Sequence, residues 1–168
     1  MPRKPNAPFL DAGDRFPPLE LTLTDGRQLT VPSGLDSPYT VVLVNRGAWC
    51  PYCVAQLRGF QAGLAKLAEE GIAVVSLSAD LRDQALAMVA EHRLQFPVAY
   101  GASVDRVAET LGVYHELASP SRPAHLQSAG FVVGPGGTVV LAMYSSGAIG
   151  RLAWQDVLGL VKYLRSHS

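Results

Sequence analysis

The chain is poor in sulfur and has no surplus of charge. Two cysteines occur in 168 residues, so no disulfide framework holds it together, and the length suits one compact domain closed around an apolar core. Fourteen Lys and Arg balance fourteen Asp and Glu. Without a basic excess nothing is available to neutralise a phosphate backbone, so nucleic acid is not an expected partner. Long hydrophobic runs are missing as well. Stretches such as Val41–Val44 and Ile72–Val75 fall far short of the roughly 20 apolar residues that cross a bilayer. Arg3 and Lys4 are followed by Pro5, Asn6 and Pro8 rather than by an apolar segment, so a secretory signal is not expected there and a soluble, cytoplasmic protein is. In that reducing compartment a Cys pair serves catalysis or metal binding more often than it serves as a permanent staple.

What is present has a clear order. Residues 1–18 are proline-rich and read as an arm laid over the surface. "LELTLTDGRQLTV" alternates apolar and polar residues on either side of Asp25-Gly26, which predicts a hairpin. "TVVLVNR", residues 40–46, is nearly all apolar and β-branched, as a central strand buried on both faces should be. Leu57, Phe60, Leu64 and Leu67 then recur at helical spacing over residues 51–70, with Pro51 in the first turn and Gly71 as the stop. "IAVVSLS" predicts a strand, residues 81–94 a helix, "FPVAY" a short strand and residues 103–111 a short helix capped by Ser103. This βαβα order implies an α/β fold with a largely parallel sheet and helices on its faces. Residues 114–128, with Pro120 and Pro123, read as an irregular surface loop. A second hairpin, "GFVV" and "TVVLAMY" around Pro135-Gly136-Gly137, and a closing helix over residues 152–165 complete the chain. The glycines of that hairpin resemble a phosphate-binding loop only superficially, because no Lys-Ser/Thr follows.

Both cysteines lie in "RGAWCPYC", residues 46–53, at the junction of the central strand and the first long helix. Residues three apart on a helix are neighbours, so a reducible Cys50–Cys53 disulfide is within reach. The helix N-terminus, with its free N–H groups and partial positive charge, favours a thiolate at Cys50 and makes it the candidate nucleophile, with Cys53 as the resolving thiol. Lowering a thiol pKa from about 8.5 to about 7 takes about 2 kcal/mol, and the helix dipole supplies about 0.3 to 1 kcal/mol of it. A cation must contribute the rest. Arg46, at the end of the same strand, and Arg122, in the proline-containing loop, are the candidates. Two other readings stay open: half of a zinc site completed by two of His92, His115, His125 and His167, none of them paired at the usual three-to-five spacing, or inert packing thiols.

"WCPYC" at a strand-to-helix junction resembles the thioredoxin-like superfamily, and CPYC is similar to the glutaredoxin active site. "DAGDRFPPLELTLTDGRQLTV" and "GFVVGPGGTVV" resemble the N-terminal ribbon and the late hairpin of peroxiredoxins, so nearly the whole chain looks like a member of the alkyl hydroperoxide reductase and thiol-specific antioxidant family. The resemblance implies a thioredoxin-like α/β fold, with a central mixed sheet flanked by helices and an N-terminal hairpin extension. It implies a thiol peroxidase that uses Cys50 and Cys53, needs no cofactor or metal, is recycled by a thioredoxin- or glutathione-type reductant, and forms a possible homodimer. Departures from the family pattern are specific. Leu43 stands where peroxiredoxins carry a Pro and Gly47 where they carry a Thr or Ser. Gln127-Ser128-Ala129 lacks the family Arg and the thioredoxin cis-proline, and Val44 replaces the buried thioredoxin acid. The alternatives are therefore a thiol-disulfide reductase with little peroxidase activity and a redox-responsive binding module. Trp49 is expected to border the thiols and Tyr52 to lie exposed between them, free to touch a glutathione moiety. His115 and His125 could serve as general bases but read rather as surface or satisfied histidines, and "SSGAIGR", residues 145–151, reads as a loop that turns on its glycines, with a place facing the active site or a partner subunit as the alternative.

Overall fold

The structure, a computed structural model, describes residues 1–168. Its strands are β1 (Leu19–Leu23), β2 (Gln28–Val31), β3 (Tyr39–Val44), β4 (Ile72–Leu77), β5 (Val98–Tyr100), β6 (His115–Glu116), β7 (His125–Leu126), β8 (Ala129–Val133) and β9 (Val139–Tyr144). The helices are α1 (Pro51–Glu69), α2 (Arg82–His92), α3 (Val104–Leu111) and α4 (Trp154–Ser166). Seven strands form one sheet in the order β2-β1-β5-β4-β3-β8-β9. Only β3–β4 and β4–β5 run parallel; β1–β2, β1–β5, β3–β8 and β8–β9 are antiparallel. The sheet is mixed, as the family resemblance implies, rather than largely parallel, as the βαβα order alone suggests. The two helical crossovers set only the centre, and the hairpins at both ends of the sequence add their strands antiparallel.

The central strand explains its own composition. Val42 and Val44 enter one apolar cluster with Phe16, Val75, Leu77, Leu111 and Phe131. Val41 and Leu43 enter the other, with Leu57, Phe60, Leu67, Val132, Val157 and Val161. Period-two alternation thus sends consecutive residues into two different cores, one on each face, and each buried Val or Leu contributes about 1.5–3 kcal/mol. α1 follows directly. Cys50 is its N-cap and Pro51 occupies the first turn, where no N–H partner is lost; Gly71, at φ +70°, ends it by adopting the left-handed region.

Three expectations are refined. The 114–128 segment is not wholly irregular: β6 and β7 pair as a short ribbon, and His125, Gln127 and Ser128 are buried. The last helix begins at Trp154, and its buried side chains are Val157 and Val161, while Leu160 and Leu164 are only partly buried. The first 18 residues are an arm with anchors, since Arg3 bridges His115, Arg15 bridges Thr138 and Phe16 sits in the core. No helix is long and apolar enough to cross a membrane.

Candidate active site

β3 delivers the chain to the bottom of the site, residues 45–50 turn, and α1 leads away. Asn45 N–H still donates to Leu77 O at 2.8 Å, so the strand pairing holds to the edge of the turn. Cys50 N–H closes the turn on Gly47 O at 3.0 Å. Gly47 adopts φ +155°, and any Cβ there would run into the Trp49 indole. That overlap gives a steric reason for the absence of Thr or Ser three residues before Cys50. The turn is also held from β4: the Asp80 carboxylate accepts the Ala48 N–H at 2.8 Å. Asp80 is buried, and burial pushes its carboxyl up from the ordinary range against the opposing hydrogen bonds from Ala48 and Ser78.

Both cysteines are free thiols, 0% and 1% exposed for Cys50 and Cys53. Cys50 Sγ accepts the Cys53 N–H at 3.3 Å, an N-cap interaction made by sulfur. Arg46 Nη1 and Arg151 Nη2 each lie 3.7 Å from Cys50 Sγ. Cys53 Sγ receives Arg46 N–H at 3.3 Å and Arg151 Nη2 at 2.9 Å. Burial works against a thiolate at Cys50. The Cys53 thiol and N–H, Arg46 and the charge of Arg151 together outweigh it, and hold the Cys50 pKa below the ordinary thiol value. Burial, with its thiol bonded to Cys50, raises Cys53 despite Arg151 and the Arg46 N–H. The two sulfurs are pushed in opposite directions, as a nucleophile and its proton-holding partner require.

The two guanidiniums are oriented by amides, not by carboxylates. Arg46 Nε donates to Gln127 Oε1 at 2.8 Å; Arg151 Nη1 donates to Gln56 Oε1 at 2.8 Å and its Nε to Ala148 O at 2.7 Å. Their charge is left for the sulfurs.

Of the residues expected at the site, Arg46 and Trp49 are gathered there with the cysteines. Pro51 opens the helix, and Tyr52 is exposed. Arg122 is not on the sulfurs: its guanidinium lies 3.9 Å from the Trp49 ring centroid, with Arg46 at 4.9 Å from the same ring. His125 meets Trp49 edge-on at 5.0 Å. Gln127, Gln56 and Asp80 are the site residues that sequence reasoning missed, and Arg151 was not singled out within a loop for which the active site was only the alternative reading. "SSGAIGR" was recognisable as a turn, and Ser145 binds the carbonyls of Gly147 and Ile149 to close it, but nothing local says that Arg151 at its end spans 98 positions to Cys53.

Residues 12–142 match the AhpC/TSA family. A peroxiredoxin of Methanothermobacter thermautotrophicus is 30% identical over 145 residues, which is 83% of this chain and 66% of that protein. A peroxiredoxin of Treponema denticola is 26% identical over 160 residues, 92% of this chain and 73% of that one. The chain thus spans about two thirds of the length of its Methanothermobacter relative. Among solved structures, a peroxiredoxin-like protein from Aquifex aeolicus superposes with a TM-score of 0.77 at 21% identity, covering 94% of this chain and 90% of that one. Peroxidoxin BcpB from Mycobacterium tuberculosis gives 0.77 at 18%, covering 93% and 99%. At these identities the structural likeness establishes the thioredoxin-like fold.

Proposed function

The chain belongs to the AhpC/TSA family, and from that premise we propose that it is a thiol peroxidase in which Cys50 is the nucleophile and Cys53 the resolving thiol. The observation that carries this reading is the convergence of Arg46 and Arg151 on a sulfur that caps a helix and has a lowered pKa. The Cys50 thiolate attacks the distal oxygen of a hydroperoxide. An S–O bond forms, the O–O bond breaks, and the departing alkoxide takes a proton and leaves as alcohol or water. The guanidiniums of Arg46 and Arg151 stabilise that developing negative charge. Cys53 then attacks the sulfur of the Cys50 sulfenic acid, its proton leaves with the expelled hydroxide as water, and the disulfide closes. An external thiol of thioredoxin or glutathione type returns the two electrons, which suits a reducing compartment such as the cytoplasm; a homodimer is compatible with this cycle.

One observation favours a second reading. Gly47 offers no hydroxyl to bind a peroxide, so the same dithiol would serve a thiol-disulfide reductase. Stopped-flow Trp fluorescence of the reduced protein, mixed separately with hydrogen peroxide and oxidised glutathione, separates the two. A fast peroxide phase that vanishes in Cys50→Ser supports the peroxidase. A slow peroxide phase beside a fast disulfide phase replaces it with the reductase.

A further inference from the structure

A cavity of about 510 Å³ is lined by Arg3, Glu116, Ser119, Ser121, Arg122 and His125, and two of these, Arg122 and His125, pack on the Trp49 ring. Arg122 belongs to both places. It lines the cavity and lies over the Trp49 ring, which also carries Arg46, the residue that reaches Cys50. Arg3 is fixed by backbone: its N–H donates to His115 O and its carbonyl accepts the His115 N–H at 2.8 Å. None of Arg3, Arg46, Arg122 and Arg151 has a carboxylate within ion-pair distance. The one acid in the cavity wall, Glu116, faces His125 Nε2 at 3.0 Å and the N-terminal amine of Met1 at 3.5 Å, while Arg3 and Arg122 stand in the same wall. Guanidiniums without a carboxylate partner therefore run from the cavity, through Arg122 and Arg46 on the Trp49 ring, to Cys50, with serine hydroxyls on the cavity side. Guanidinium forks bind carboxylates bidentately, through charge-assisted hydrogen bonds.

The geometry points to this cavity as a carboxylate-binding subsite, with Arg122 and Arg3 holding the acidic tail of a molecule whose other end reacts at Cys50. The inference rests on the thiol-peroxidase reading and adds a substrate class to it. Two sources share that chemistry: a carboxylate-bearing hydroperoxide, and a carboxylate-bearing thiol such as glutathione that reduces the oxidised site. Both exceed the size of hydrogen peroxide, which has no tail to place.

The test uses the full chain in stopped flow, with matched acids and esters. One arm compares a fatty-acid hydroperoxide with its methyl ester against reduced protein; the other compares glutathione with its diethyl ester against the Cys50–Cys53 disulfide. The acid is expected to react about tenfold or more faster than its ester in at least one arm, as one charge-assisted contact allows. The arm that shows the preference identifies the source. In Arg122→Met the acid-to-ester ratio should fall to within about twofold, and Arg122→Lys should recover part of it. Because Arg122 also packs on Trp49, Arg3→Met provides a second reading away from that ring, and it should lower the same ratio. Equal rates for acid and ester in both arms would overturn the subsite. So would a preference that survives undiminished in both the Arg122→Met and Arg3→Met proteins. Hydrogen peroxide, run alongside, reports on the peroxidase reading alone: its failure to oxidise Cys50 removes that reading, while the glutathione arm still reports on the cavity.

Discussion

At the scale of single residues, Arg151 is the side chain with the most leverage on the chemistry. It touches both sulfurs, while Arg46 divides its contacts, sending a side-chain N–H to Cys50 and its backbone N–H to Cys53. Arg151→Met should raise the Cys50 pKa, seen as thiolate ultraviolet absorbance titrating at higher pH, and slow peroxide reduction about tenfold or more, the scale of a lost charge-assisted hydrogen bond. Arg151→Lys should recover only part of the rate, because an ammonium cannot hold Gln56, Ala148 and two sulfurs at once. Cys50 and Cys53 were legible from spacing alone. Arg151 was not, since a cation's neighbours across 98 positions are set by where a loop lands, and the loop's own residues encode only its turn.

At the scale of elements, the turn between β3 and α1 depends on a neighbour in the sheet. Asp80, just beyond β4, holds Ala48 N–H two residues ahead of Cys50. In Asp80→Ala that amide loses its acceptor, and hydrogen exchange at Ala48 should accelerate while amides at the centre of β3 stay protected. The packing of α1 on α4 turns on Gly63, where a methyl group would overlap the Trp154 ring. Gly63→Ala gains helix propensity but forces that ring to move, and should lower stability by about 1–3 kcal/mol, read as a lower urea midpoint at an unchanged m-value. The elements themselves were visible in the sequence, because α1 and β3 carry clean 3.6 and all-apolar patterns. The β6–β7 ribbon was hidden. Two-residue strands carry no measurable period, and prolines on the connecting turn mask them.

At the scale of the whole molecule, the thiol pair couples folding to pH. The Cys50 pKa is lowered on folding, so its contribution to stability is lost as pH falls through that lowered value and is complete above the unfolded value of about 8.5. The stability difference between the reduced native protein and Cys50→Ser should therefore grow as pH rises from 6 towards about 8.5, measurable as diverging urea midpoints. A difference independent of pH over that window would mean that no thiolate is stabilised. The amino-acid sequence by itself determined the secondary elements other than the β6–β7 ribbon, the two-faced central strand, the helix-capping place of Cys50 and the nearness of Cys53 to it. Each of these depends on residues within one or two turns of one another, where spacing and side-chain type act directly. Tertiary structure alone decided the strand order of the mixed sheet, that Arg151 rather than Arg122 joins Arg46 at the sulfurs, and that Gln56, Gln127 and Asp80 hold the site in place. Those outcomes depend on which edges the hairpins join and where distant loops converge, and long-range geometry of that kind leaves no periodic trace in the chain.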